Sequence, residues 1–63
     1  MRLWLRDSRL AAGLSQQQLA KKLNKNITTI GKWEKGIRTP KPKTAKQLGA
    51  LLGFNWERFY END

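Results

Sequence analysis

The side chains of this chain that could do chemistry are mostly cations. Among its 63 residues are 13 Lys and Arg against 5 Asp and Glu, and there is no His and no Cys. The commonest general base, the thiol nucleophile and the thiolate metal ligands are therefore missing. The five carboxylates do not cluster as a catalytic or Mg²⁺-binding pair would. We predict that the protein is not an enzyme and that it takes no metal, cofactor or small-molecule ligand.

The cations are concentrated in the middle of the chain. Between Gln16 and Lys46 there are nine Lys and Arg residues and one acid, Glu34, so this segment accounts for the whole net charge of +8. The rest of the chain has four charges of each sign. A need for solubility alone does not explain why the positive and negative charges cancel at the two ends of the chain and not in its middle. A concentrated positive face is the electrostatic footprint of a polyanion partner, and nucleic acid is the leading candidate.

Helix-starting and helix-ending residues divide the chain into five predicted helices. We place them near residues 2–12, 16–23, 27–35, 42–52 and 56–60. Ser15 and Gln18 have the spacing of a capping box, and Pro42 suits the first position of the fourth helix. The other predicted N-caps are Asn26 and Asn55. The residues predicted to end helices are Gly13, Asn24, Gly36 and Gly53. Residues 27–30 are the one segment where a short strand is an alternative to the predicted helix.

The hydropathy and the length of the chain suggest one small domain that is not inserted in a membrane. No apolar run approaches the length of a membrane span. The first residues include Arg2, Arg6 and Asp7, unlike the apolar stretch of a signal peptide. We expect a single domain over residues 1–63 that is soluble, cytoplasmic and not bound to a membrane.

The second and third predicted helices are spaced as a helix-turn-helix unit over residues 16–35. Eight helical residues, a turn of about three and a second helix of nine or ten are typical of this motif. Ala20 is small where the helices must cross closely. The apolar contacts that set the crossing come from Leu19, Leu23, Ile30 and Trp33. In this motif the second helix enters the major groove of DNA.

A helical wheel of the third helix separates an inner from an outer face. Ile30, Trp33 and Glu34 fall on one side, and Thr28 and Lys32 fall nearly opposite. We predict that Thr28 and Lys32 read base edges, the alternative being a plain solvated face. Ile27, on the flank, is either a contact to a thymine methyl or a half-buried residue.

The predicted phosphate ligands lie at helix starts and along the exit from the third helix. Helix starts offer backbone N–H groups and polar side chains to phosphate, and flanking cations follow the backbone. These ligands are Gln16, Asn26, Thr29, Lys35, Arg38, Lys41 and Lys43. Lys21 and Lys22 either add to them or belong to the general surface.

Aromatic residues crowd the end of the chain. We predict that Phe54 and Phe59, with Trp4, form a hydrophobic lid over the first and fourth helices. Trp56 and Tyr60 either join the lid or form a self-association surface, because large exposed aromatic patches mark interfaces.

Several motifs together resemble the Cro/repressor (Xre-type, Cro/C1-type) helix-turn-helix family. They are LSQ at 14–16, LA at 19–20, Ile30 and KWEKG at 32–36, and the likeness extends over about residues 3–54. The resemblance implies an all-α, compact five-helix bundle of the lambda-repressor-like type that regulates transcription, often in phage or mobile-element circuits. It implies a prokaryotic or phage context at the nucleoid. It also implies an internal ion pair between Arg9 and Glu34 and a backbone contact at Gln16.

The chain departs from the family pattern at three positions. Asn24 replaces the usual Gly of the turn, and Lys25 replaces an apolar residue. Gly31 lies inside the recognition helix and weakens it by about 1 kcal/mol relative to Ala. This glycine either admits close approach of DNA or leaves the helix looser.

The leading hypothesis is a sequence-specific regulator of double-stranded DNA, a repressor that binds a symmetric site as a homodimer. One alternative is the antitoxin of a toxin–antitoxin pair, which also binds DNA. Another is a protein-interaction module that keeps the fold without reading DNA, which Thr28, Lys32 and Lys35 disfavour. Single-strand or RNA binding would need aromatic residues among the cations, whereas here they lie mostly elsewhere.

Overall fold

A computed structural model describes residues 1–61, so the last two residues of the predicted domain lie outside it. The described chain forms four α-helices and one 3₁₀ helix. In order these are α1 (Leu3–Ala11), α2 (Gln16–Leu23), α3 (Ile27–Lys35), α4 (Pro42–Leu52) and the 3₁₀ helix (Trp56–Tyr60). No strand occurs within residues 1–61, and residues 27–30, where a strand could have competed, are helical. The predicted all-α class is confirmed.

The prediction of a fifth α-helix is wrong. Residues 56–60 form a 3₁₀ helix, whose hydrogen bonds span three residues. The N–H of Arg58 donates to the carbonyl of Asn55 at 3.0 Å, and that of Glu61 donates to the carbonyl of Arg58 at 3.4 Å. A segment of five residues is too short to gain from the longer α-helical ladder, and short pieces of this kind often adopt the tighter form.

The local signals at helix ends act as predicted. Ser15 Oγ accepts from the N–H of Gln18 at 3.0 Å, and Gln18 Oε1 accepts from the N–H of Ser15 at 2.8 Å, which completes the capping box. Asn24 has φ 56°, so it ends α2 in the left-handed conformation as the turn requires. Asn26 Oδ1 accepts from the N–H of Thr28 at 2.9 Å and starts α3. The turn of the helix-turn-helix unit is thus set by adjacent residues.

The first helix is shorter than predicted by one residue at each end. In a helix over residues 2–12, Ala12 would share one face with Leu5 and Arg9, but Ala12 is exposed whereas Leu5 and Arg9 are buried. Ala12 is the last residue before Gly13 turns the chain at φ 75°, and the N–H of Leu14 then donates back to the carbonyl of Arg9 at 3.2 Å. The helix-ending motif therefore carries Ala12 away from the core.

The core lies where α1, α2, α3 and α4 meet. Its largest fully buried side chains are Leu5, Leu19, Ile30 and Leu48. Ala20 is also buried, at the close approach of α2 and α3 that its small side chain permits. Leu23 packs against this core from its edge and is half-buried.

The aromatic residues close the core from the side of α1 and α4. The rings of Trp4, Phe54 and Phe59 meet edge to face, with centroids 5.1 to 5.6 Å apart. Phe59 is buried, as the predicted lid requires. Gly49 admits this arrangement, because a Cβ there would lie 2.6 Å from the carbonyl oxygen of Phe54. No helix in the part of the chain that the structure describes is both long and apolar enough to cross a membrane.

Candidate nucleic-acid interface

The outer face of α3 is polar and accessible. Thr28, Lys32 and Lys35 are exposed, whereas Ile30 and Trp33 on the opposite face are buried. Ile27, at the start of the helix, is 47% exposed. At this exposure Ile27 is accessible to a partner and also about half-buried, so both interpretations of Ile27 stay predictions. The helical wheel assigned the two faces correctly.

A shallow hollow gathers the predicted base-reading residues. Ile27, Thr28 and Lys32 line it together with Gly31 and Lys35 of the same helix. Gln16, from the start of α2, closes one side. Ile37, which follows α3 and is 69% exposed, also lines the hollow. Ile37 was not predicted to take part, because nothing in the sequence showed that the chain turns back beside α3. We call this surface the α3 hollow.

A second concavity, which we call the connector cleft, lies between α3 and the segment that joins it to α4. This connector, residues 36–41, begins at Gly36, which has φ 79°. The cleft brings together four cations and three threonine hydroxyls, and its lining includes no carboxylate among residues 1–61. Its lining residues are Lys25, Thr29, Lys32, Trp33, Arg38, Thr39, Pro40, Lys41 and Thr44.

The connector cleft contains three of the predicted phosphate ligands, Thr29, Arg38 and Lys41. Lys25 and Thr44 line it too and were missed. Lys25 had a signal in the sequence, since it is a cation where the family usually has an apolar residue. Thr44 lies in the first turn of α4 and had no such signal, because only the course of the folded connector brings it near α3.

The other predicted phosphate ligands lie apart from the cleft. The Asn26 side-chain oxygen is occupied as the N-cap of α3. Lys43 is exposed on the first turn of α4 and lines neither concavity. Lys22 borders a different groove between α2 and α4, and Lys21 is exposed on α2.

A buried network fixes the orientation of α3. Arg9 Nε donates to Glu34 Oε2 at 2.6 Å, and the two side chains are only 8% and 6% exposed. Arg9 Nη1 also donates to the carbonyl of Leu14 at 2.8 Å. The residues of the expected ion pair therefore join α1 to the end of α3. The one acid of the basic segment is paired with Arg9, so its charge is compensated within the ion pair and not by the cations of the two concavities.

Gln16 belongs to this network. Its side-chain Nε2 donates to Glu34 Oε1 at 3.0 Å, across 18 positions of sequence. The position of Gln16 at a helix start predicted only a phosphate contact, and nothing in the sequence indicated this bond. The network thus joins α1, the start of α2 and the end of α3, and it holds the two helices of the helix-turn-helix unit in one relative orientation.

Comparison with known proteins identifies the family. A family model described as helix-turn-helix matches residues 5–59, which include all of α2 and α3. The chain is 36% identical over 62 residues to an uncharacterized HTH-type transcriptional regulator, YqaF, of Bacillus subtilis (strain 168). That alignment covers 98% of this chain and 82% of the relative. No solved structure matches significantly. The chain therefore belongs to the helix-turn-helix family of DNA-binding transcriptional regulators, whose members are not enzymes.

Proposed function

We propose that the protein is a sequence-specific regulator that binds double-stranded DNA with α3 in the major groove. The observation that supports this proposal most strongly is that the α3 hollow and the connector cleft lie side by side. The α3 hollow exposes polar side chains on a helix, and the connector cleft beside it adds Lys25, Arg38 and Lys41, with no carboxylate in its lining among residues 1–61. Helices read base edges in the major groove, and cations outside it hold the phosphates.

Base reading is assigned to three residues of the α3 hollow. Lys32 can donate to O6 or N7 of guanine, and Thr28 can bond a base edge or touch a thymine methyl. Ile27 offers an apolar contact to a thymine methyl. The exposure of all three supports this assignment.

Phosphate binding is assigned to the connector cleft and its surroundings. We place Thr29, Arg38 and Lys41 at the centre, and the shared lining of the cleft supports including Lys25 and Thr44. Around them we keep Asn26, Lys35 and Lys43 as outer contacts. Gln16 can still reach a phosphate with its second amide hydrogen or with the backbone N–H groups at the start of α2. Its bond to Glu34 would then hold the amide in place.

We further propose that residues 1–63 act as one domain that represses transcription from a two-fold symmetric site as a homodimer. Half-sites about one helical turn apart would then match the symmetry of the dimer. Repression by occlusion needs no surface beyond the DNA interface. Two observations support regulation of this kind, the resemblance to the Cro/repressor type and the transcriptional regulator to which the chain is similar. The proposed place of action is the cytoplasm, at the nucleoid of a bacterium or of a phage host.

The experiment that tests base reading compares Lys32→Ala with Lys41→Ala. The DNA site is first isolated by selecting genomic fragments that the wild-type protein binds, and single-base variants of it are then prepared. Lys32→Ala is expected to cost about 1–3 kcal/mol on the selected site and to relax the preference at one base pair. Lys41→Ala is expected to weaken all variants alike, because a phosphate carries no sequence information.

Both substitutions remove one Lys charge from an exposed position, so Lys41→Ala serves as the matched control. Affinities are measured by fluorescence anisotropy on every single-base variant. If Lys32→Ala lowers affinity equally for all of them, Lys32 contacts only the backbone. Base reading would then rest on Thr28 and Ile27.

Gly31 provides a second test of how closely α3 approaches DNA. A Cβ at Gly31 would meet no atom of the chain within 4 Å, so packing does not require a glycine there. We expect Gly31→Ala to stabilise the fold by about 1 kcal/mol and to raise the melting temperature by about 4–8 °C. DNA affinity should fall, because the added methyl group projects into the α3 hollow. Unchanged affinity together with a raised melting temperature would show that DNA does not approach this backbone.

A further inference from the structure

Arg2 connects the segment before α1 to the end of α3 and to the connector. Its backbone N–H donates to the carbonyl of Glu34 at 2.7 Å. Its side-chain Nη1 donates to the carbonyls of Trp33, at 2.8 Å, and Arg38, at 2.7 Å. Its Nη2 donates to Thr39 Oγ1 at 2.6 Å. One side chain thus bonds both ends of the bend between α3 and the connector.

Tyr60 holds the same connector from the 3₁₀ helix. Its hydroxyl donates to the carbonyl of Pro40 at 2.7 Å, although the ring itself is 44% exposed. The ring packs edge to face against Trp56 with centroids 5.9 Å apart. Of the two residues that the sequence left open, Tyr60 therefore has a partner within the chain.

The connector depends on these outside contacts because it has few backbone bonds of its own. The N–H groups of Ile37 and Arg38 donate to the carbonyl of Lys32 at 3.0 and 3.3 Å. Pro40 has no N–H to donate, and proline follows again at position 42. The carbonyls of Arg38 and Pro40 are the acceptors that Arg2 and Tyr60 take up.

Arg2 itself is badly placed to bind phosphate. Its guanidinium carbon lies 5.3 Å from the centroid of the Phe59 ring, and three of its hydrogen bonds go to atoms of the chain. Burial lowers the pKa of Arg2 from its usual value, and the electrostatic effect of Tyr60 acts in the opposite direction. The side chain remains a cation, but three of its five N–H donors are taken by atoms of the chain.

We infer that Arg2 and Tyr60 are positioning residues for DNA binding, which hold the connector so that Arg38 and Lys41 face the phosphates together. This inference rests on the proposed function. Neither residue needs to touch DNA. Without them the connector cations would have to be ordered when DNA binds, and that ordering opposes binding.

The test uses two conservative variants and a matched control. Tyr60→Phe removes only the hydroxyl donor, and Arg2→Lys keeps the charge but cannot reach Trp33, Arg38 and Thr39 together. Arg6→Lys makes the same chemical change at an exposed position of α1. For each variant and the double variant, duplex DNA affinity is measured against salt, well below its melting temperature. Amide hydrogen exchange is followed at residues 37–41 in the absence of DNA.

The double variant is expected to lose at least one phosphate contact per subunit. Near 0.1 M salt this corresponds to a loss of affinity of about tenfold for each contact, with a log–log salt slope nearer zero by about one unit per contact. Exchange should be faster at Ile37 and Arg38, whose N–H groups donate to the carbonyl of Lys32. Arg6→Lys should change none of these quantities. A role in stability alone would lower the melting temperature without altering the salt slope of the folded protein.

Wild-type affinity and salt slope in the double variant would overturn the inference, as would an equal effect of Arg6→Lys. Unchanged exchange at residues 37–41 would show that the two side chains do not hold the connector. If the wild-type protein itself binds no duplex DNA, the proposed function fails together with the role in DNA binding. Binding by the wild type with no effect of the variants would instead reject the positioning role alone.

Discussion

Glu34→Ala is expected to destabilise the domain by about 3–5 kcal/mol, because it would leave the guanidinium of Arg9 buried without its counter-charge. The two side chains are 8% and 6% exposed, and Arg9 Nε lies 2.6 Å from Glu34 Oε2. Gln16 loses its acceptor at the same time. Small domains have a total stability of about 0.05–0.15 kcal/mol per residue. For 63 residues this is about 3–9 kcal/mol, so a single substitution of this size would remove a large part of the stability of the domain.

The double variant Arg9→Ala/Glu34→Ala is expected to be more stable than either single variant, because removing both partners leaves no lone buried charge. Urea denaturation followed by circular dichroism gives the free energy of unfolding for all four proteins of the cycle. Glu34→Gln, which keeps the shape and removes the charge, extends the series if the alanine variants unfold. The control Glu57→Ala, at an exposed acid, should stay within about 0.5 kcal/mol of wild type. Equal and additive losses for Arg9→Ala and Glu34→Ala would contradict the coupling.

The helices were predictable from the sequence because their ends depend on neighbouring residues. A capping box needs only Ser15 and Gln18, three positions apart, and the left-handed turn at Asn24 needs only its own conformation. The inner and outer faces of α3 followed from the period of the helix. The error at the end of α1 also comes from a local signal. Ala12 has the spacing of the buried face of α1, but the helix-ending motif at Gly13 stops the helix at Ala11.

The contacts between helices could not be read from spacing. Gln16 meets Glu34 across 18 positions, and Arg2 reaches Thr39 across 37. Such bonds depend on how α1, α2 and α3 pack. The pattern of side chains along the sequence does not determine the angles between these helices. Lys25 and Thr44 likewise line the connector cleft only because of how the chain folds, so the sequence pattern did not predict them there. The wheel therefore identified the exposed face of α3, whereas the cleft beside it required the structure.

Binding to duplex DNA is expected to weaken steeply with salt. Each cation that neutralises a phosphate releases a condensed counterion, so affinity falls with a log–log slope of about −0.9 per contact. The proposed interface assumes that the cations of the connector cleft and its surroundings make about four to five phosphate contacts per subunit. A dimer should then show a slope of about −7 to −9, and its affinity should fall by about 10⁴–10⁵-fold between 50 and 200 mM salt.

Two triple variants identify which cations produce this slope. Replacing Lys25, Arg38 and Lys41 together with Ala should bring the slope of a dimer nearer zero by about five units, since six contacts are lost. The matched control replaces Lys21, Lys22 and Lys46 with Ala, which removes the same charge outside the two concavities. The control should retain most of the wild-type slope. An equal change in both variants would mean that net charge, and not the cleft, governs binding.

The salt titration of the wild-type protein on its selected site tests most directly whether the basic middle of the chain is a duplex DNA interface. Affinity is measured at several salt concentrations by fluorescence anisotropy with labelled duplex. The proposed interface predicts a straight log–log plot with a slope of about −7 to −9. A slope shallower than about −3 would mean that the cations of the connector cleft do not face DNA.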